Sequence, residues 1–335
     1  MRIFYAMAAR MMEPSIYAQC SVYGRQHGPE ILVSGDARPH ERNQYMYFSN
    51  PAKRSFTKVA LAILLYEFLF QIGSGFLIQY GANIYQHEDF TMIAVSLFGL
   101  VMMLLLLGGD GIPRTRHARF GIMQYLWLLL LIYGLQAFSS ILLAPIEAFL
   151  HQQGFSLEYA TDVASGRLSG FWMILYAVVV APFVEESMFR GLIYNQLRHY
   201  GRLFAIVISA LLFALMHGNL MQFVTALFVG MLLAFIRERY GYAVAILMHI
   251  SNNTFALFFN NYGGNSAIVH LLYIAFIYGG LIVMVVTLLQ NFKKLRSFCR
   301  SEHSFQRMVK TWFTTPAVIV VNLLFIGLTI LSIFE

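Results

Sequence analysis

Two adjacent carboxylates, an arginine, two imidazoles and an amide stand inside apolar stretches of this chain, where ionisable groups are costly. The run Phe183-Val184-Glu185-Glu186-Ser187-Met188-Phe189-Arg190 sets two acids and a base in one such stretch. Phe213-Ala214-Leu215-Met216-His217 ends a second, and His249-Ile250-Ser251-Asn252-Asn253 lies in a third. An ionisable side chain at membrane depth costs roughly 2.5–3.5 kcal/mol on insertion scales, so such residues are rare and usually functional. On a helix, Glu186 and Arg190 share a face, with the acid preceding the base, the favoured order. Glu185 lies about 100° around from Glu186 and has Phe189 rather than a base four residues on. It is the freer carboxylate and the better candidate for chemistry. His249 and Asn253 are also four residues apart and project together. A carboxylate can take a proton from water and return it to a leaving amine, and a histidine helps to position or deprotonate that water. A second histidine and an asparagine amide can donate hydrogen bonds to the oxyanion of a tetrahedral intermediate. This inventory suffices for amide hydrolysis by activated water and needs no nucleophilic serine or cysteine.

The elements that must position these groups are membrane helices. Of 335 residues, 59% are hydrophobic and 12% charged, against roughly 25% charged in an ordinary soluble domain. Nine apolar stretches, near 59–80, 91–108, 120–149, 170–197, 202–217, 219–236, 241–260, 267–290 and 316–334, approach the roughly 20 residues that cross a bilayer. Backbone polar groups in lipid must be satisfied internally, so each is expected to be a helix. The expected fold is an all-α polytopic transmembrane helical bundle of about nine spans with a catalytic core of four helices. Its divisions are a polar cytosolic tail at 1–55, three accessory helices within 56–165, the catalytic core at 166–262, and two further helices with a basic cytosolic loop at 263–335. The tail carries no long apolar run that would read as a signal peptide, and Met46 is a second candidate start. All basic residues but Arg167 fall in alternate segments, which places the N-terminus in the cytosol and the C-terminus outside. The net charge of +7 is spread over short gaps between apolar runs, a pattern that does not suit nucleic acid. Cys20 and Cys299 both fall in basic, cytosol-assigned segments, so no structural disulfide is expected. At 1.5 Å per residue, Glu185 lies roughly 20 Å in from Arg198, His217 roughly 22 Å in from Arg202, and His249 and Asn253 roughly 12 and 18 Å in from Gly241. Groups from three helices can therefore meet in one layer of the membrane.

Glu185-Glu186-x-x-x-Arg190, Phe213-x-x-x-His217 and His249-x-x-x-Asn253, in that order, resemble the three motifs of the CPBP (Abi) intramembrane endopeptidases. That family includes the CAAX prenyl endopeptidases and many bacterial members linked to bacteriocin self-immunity. The resemblance covers about residues 166–262. It implies that Glu185 and His217 activate the catalytic water, that His249 and Asn253 form the oxyanion site, and that Glu186 and Arg190 support it. It also implies a peptide or protein substrate reaching the site from membrane or cytosol, and a multi-pass location in a membrane, with a prokaryotic cell membrane expected. No cofactor is expected. Zinc held by Glu185, His217 and His249 is chemically conceivable and ranks below the metal-free reading.

Plainer readings stand beside these. Glu186 with Arg190 could be a structural ion pair, His217 an interfacial residue, and Asn253 a bridge between helices. Glu67 is anomalous in the first span and is expected to pack against Gln71 or another helix. Gly73-Ser74-Gly75 reads as a small-residue packing face and Gly109-Asp110-Gly111 as a turn; the zincin arrangement His-Glu-x-x-His is absent. Two other functions use the same buried groups. One is a proton-coupled transporter, in which Pro182 marks a broken helix; the other is a non-catalytic immunity or scaffold protein.

Overall fold

The computed structural model describes residues 51–73, 88–108, 117–155, 170–264 and 266–331. The tail to residue 50, Cys20, Ser74-Gly75, Gly109-Asp110-Gly111 and Arg167 lie outside the described residues. Within them the chain forms ten helices. These are α1 (Pro51–Gly73), α2 (Glu88–Leu107), α3 (Ile122–Gln152), α4 (Phe171–Arg198) and α5 (Arg202–Met216), followed by α6 (Leu220–Tyr240), α7 (Tyr242–Tyr262), α8 (Ala267–Ser301), α9 (Phe305–Phe313) and α10 (Pro316–Leu331). Seven of them are long and apolar enough to cross a membrane, and α9 with α10 makes an eighth candidate bent by 76°. The expected stretch at 202–217 becomes α5, whose 15 residues span only about 22 Å. Side chains such as Leu105, Ile268 and Leu289 face outward at more than 70% exposure, among many exposed large apolar residues, the kind of surface that a bilayer covers.

Two apolar clusters flank a central layer. One joins α1 and the end of α2 to α4, α5 and α10 through residues such as Phe56, Met103, Phe189, Phe204 and Val321. The other joins α3 to α6, α7 and α8 through Trp127, Leu233, Met248 and Met284. The four helices α4 to α7 lie between, so functional groups on their inner faces are walled on both sides. The turn from α6 to α7 is a single residue, Gly241, at φ +103°, a left-handed conformation that glycine adopts without strain. It folds α7 straight back along α6. Asn219 begins α6 by accepting from the backbone N–H groups of Met221 and Gln222 at 2.9 and 3.3 Å, the usual service of an N-cap side chain. On the outer side, α3 and α8 cross at Gly134 and Gly280. A Cβ built on Gly134 would fall 2.2 Å from the Gly280 carbonyl oxygen, so the two backbones touch.

Two expectations about the ends of helices need correction. Arg237 and Arg239 were expected just beyond the sixth span, yet both lie inside α6 and are buried. Charge density suggested a helix end, but a cluster of partners holds these side chains within the bundle. The basic stretch 291–315, expected as a loop, is mostly helical: α8 runs on to Ser301 and α9 follows after three residues.

Candidate active site

The carboxylates sit at a local irregularity. The fourth span is one continuous helix through Pro182, but it widens to π geometry at Tyr176–Val180 and again at Ser187–Ile193. Ala181–Glu186, which carries both acids, is the α-helical turn between them. Such widened turns are frequent at functional sites. They leave carbonyl oxygens open to donors from other helices, and inside a membrane those donors must come from protein. Asn253 Nδ2 on α7 donates to the Ala177 carbonyl at 2.9 Å, and Arg237 Nε on α6 donates to the Arg190 carbonyl at 3.2 Å. The irregular stretch of α4 is therefore gripped from both neighbouring helices.

Glu186 and Arg190 are both fully buried and pair at 3.1 Å. His249 joins them, its Nδ1 lying 2.9 Å from Glu186 Oε1. An ionised carboxylate only accepts, so Nδ1 carries the hydrogen. The ring then faces Glu185 with Nε2, which bears a lone pair in the neutral ring and a second N–H in the imidazolium; Glu185 Oε2 is 3.7 Å away and its side chain is 21% exposed. One imidazole thus spans the two acids, the buried one firmly and the accessible one loosely. Arg190 also donates from Nη2 to the Gly230 carbonyl at 3.0 Å and stacks its guanidinium 4.4 Å from the centre of the Phe213 ring. Phe213 meets both imidazoles edge to face, His217 at 4.8 Å and His249 at 5.9 Å between ring centres. His217 caps the end of α5, and its Nδ1 donates to the Phe213 carbonyl at 2.8 Å, which leaves Nε2 a lone pair in the neutral ring.

The structure brings Glu185, Glu186, Arg190 and His249 into direct polar contact and reaches His217 through Phe213. Among the described residues Glu185 and His217 share no ion pair. Asn253 belongs to a chain of amides. Gln136 Nε2 on α3 donates to Asn252 Oδ1 at 2.7 Å, Asn252 Nδ2 donates to Asn253 Oδ1 at 3.2 Å, and Asn253 Nδ2 ends on Ala177. The chain fixes which end of each amide is which and leaves Asn253 one further N–H. Gln136 and Asn252 were not among the sequence candidates; the signal for Gln136 was an isolated amide in an apolar span. On the other side, α1 contributes Tyr66 and Glu67, which with Tyr176 interact electrostatically among themselves, and both tyrosines with Glu185 as well. Glu67 accepts from Gln71 at 2.8 Å, the partner expected for it.

The structure does not gather Glu185, His217 and His249 into one group of candidate ligands. Among the described residues no three His, Cys, Asp or Glu side chains form a group that could hold an ion. The Nδ1 atoms of both histidines are held by protein acceptors, which leaves the two Nε2 atoms as the ring positions that can act on a ligand.

A second buried carboxylate, Glu238 at the end of α6, was also missed. Its Oε1 accepts from Tyr194 Oη and Arg198 Nε, each at 2.5 Å. Arg237 Nη1 lies 3.5 Å from the same oxygen and Arg202 Nε 3.6 Å from Oε2. Arg237 further donates to Asn195 Oδ1.

Residues 167–255 match the model of a family described as type II CAAX prenyl endopeptidase Rce1-like. The match includes every residue of the three motifs and covers under a third of the chain. No curated protein and no solved structure matches the chain. Over that segment the chain is similar to a protease family, CAAX-protease-like at the family level, in agreement with the resemblance drawn from the motifs.

Proposed function

We propose that this chain is an intramembrane endopeptidase that hydrolyses peptide bonds with water activated by Glu185. The observation that carries this reading is the His249 ring held between two carboxylates, 2.9 Å from Glu186 and 3.7 Å from the part-exposed Glu185. In this mechanism Glu185 takes a proton from water as the oxygen bonds to the scissile carbonyl carbon. His217, with Nε2 as acceptor, helps to orient that water. The carbonyl π electrons move onto oxygen, and His249 Nε2, when it carries a proton, and the second N–H of Asn253 donate to the oxyanion. Glu186 offsets the charge of the imidazolium in that state, and Arg190 offsets Glu186. Collapse of the intermediate breaks the C–N bond, and the proton on Glu185 passes to the departing amine. The substrate is a peptide or protein tail that enters from the membrane or its surface; prenylated CAAX ends, bacteriocin-related peptides and other membrane tails share this chemistry.

The test uses the full chain in proteoliposomes with a farnesylated reporter peptide ending in a CAAX box and a panel of unprenylated membrane peptides. Wild-type protein should release a C-terminal fragment from at least one, and Glu185→Gln should release it at least about a hundredfold more slowly while melting at the wild-type temperature. Cleavage by Glu185→Gln at near the wild-type rate would refute the mechanism. Solute flux that depends on Glu185, without cleavage, would move the chain to the transporters.

A further inference from the structure

The cluster of positive charge at one end of the bundle is not used by the proposed chemistry. α8 has 35 residues, about 52 Å of helix, whereas the hydrocarbon core of a bilayer is about 30 Å thick. Its first two-thirds are apolar, and the surplus at its end carries Lys293, Lys294, Arg296 and Arg300, all exposed. α9 follows at once and lies crosswise, 76° from the apolar α10. It is two-sided. Trp312 is fully buried against Phe56 and Phe204, with Met308 and Val309 packed on the same core, while Arg307 and Lys310 face outward. This elbow is fixed to the turn between α4 and α5. Ser304 Oγ donates to the Tyr200 carbonyl at 3.2 Å, and the Arg202 guanidinium lies 5.4 Å from the Phe298 ring centre. Over 291–315 there are six Lys and Arg and one acid, Glu302. Exposed apolar side chains, Leu289, Phe292 and Phe313, alternate with the charges. Long basic side chains beside apolar ones, on a helix that crosses a spanning helix, suit the boundary between acyl chains and headgroups.

We propose that the end of α8 and the outer face of α9 form a binding surface for anionic phospholipid headgroups. The charge complement selects the ligand, and the excess length of α8 sets its level. Each Lys or Arg near an anionic leaflet strengthens attachment severalfold, and the attraction is screened by salt.

The experiment is native mass spectrometry of the delipidated full chain in detergent, titrated with phosphatidylglycerol or phosphatidylcholine. Wild-type protein should retain phosphatidylglycerol at least tenfold better than phosphatidylcholine at low salt. R296Q/R300Q/R307Q/K310Q should lose that preference. The pairs R296Q/R300Q and R307Q/K310Q should each lose part of it, which keeps the test open should the fourfold variant fold poorly. Equal retention of the two lipids by wild-type protein overturns the proposal, as does a preference that the variants leave intact. Displacement of phosphatidylglycerol by millimolar inorganic phosphate assigns the surface to free anions and overturns it too. Preferential capture of RNA over phosphatidylglycerol vesicles has the same effect. None of these readouts depends on proteolysis.

Discussion

Glu186 and Glu238 are both buried carboxylates, each held by arginine and each tying α4 to a neighbouring helix, yet they are surrounded for different purposes. Glu238 meets three arginines and a tyrosine, partners that hold charge and do not exchange protons near neutral pH. Glu186 meets one arginine and one imidazole, and that imidazole reaches on to a second, part-exposed carboxylate. Its own Oε2 is buried and meets no donor among the described residues. The first arrangement is a clamp, saturated and outnumbered by positive charge. The second keeps an imidazole, which can pass a proton, beside a part-exposed carboxylate. Burial and ion pairing are common to both clusters; the exchangeable proton of the imidazole is what sets the Glu186 cluster apart and what the proposed function uses.

The sharpest break in the comparison comes from Glu185→Gln. Loss of a general base should lower kcat by about 10²–10⁴ with no change in the thermal melt, measured on reporter cleavage and by unfolding in detergent. Glu238→Gln should do the reverse. It strands Arg198, Arg202 and Arg237 without a counter-charge and should cost about 3–5 kcal/mol of stability. The molecules that remain folded should still cleave within a fewfold of the wild-type rate, read by normalising activity to folded protein. A Glu238→Gln protein that melts normally and loses kcat would place that cluster in the site.

Asn253→Ala comes next, with kcat reduced by roughly 10²-fold for loss of one oxyanion donor and KM little changed. A variant that lowers stability and leaves kcat alone would restore the plainer reading of Asn253 as a bridge to α4. Gln136→Leu should have the smallest effect, about tenfold or less on kcat, because the amide acts only through Asn252 and Asn253. Gln136→Glu, which can accept but cannot donate to Asn252 Oδ1 when ionised, should not rescue it.

Much of this was legible in the sequence because it is local. The pairing of Glu186 with Arg190, the common direction of His249 and Asn253 toward α4, and the distinct position of Glu185 all follow from 3.6 residues per turn. The apolar stretches became helices because lipid leaves the backbone no alternative. What was not legible is what crosses between helices. Nothing in the spacing says that His249 Nδ1 chooses Glu186, or that Gln136, more than a hundred residues away, completes the amide chain. Arg237 and Arg239 were misplaced, and Glu238 was missed, for a related reason. Three charges in a row read as a helix end until Asn195 on α4 is known to face Arg237, and Tyr194 and Arg198 to face Glu238. The π turns were equally hidden, since widening depends on donors supplied by α6 and α7.

The contact of Gly134 with Gly280 bears on how far the protease-like segment is self-sufficient. With peptide groups in touch, α3 cannot slide along α8 without collision, and Gln136 is only two residues from that crossing. The depth at which Gln136 meets the Asn252 amide is therefore gauged by a helix outside residues 167–255. A graft of that segment onto other flanking helices would inherit the motifs and lose the ruler that spaces them.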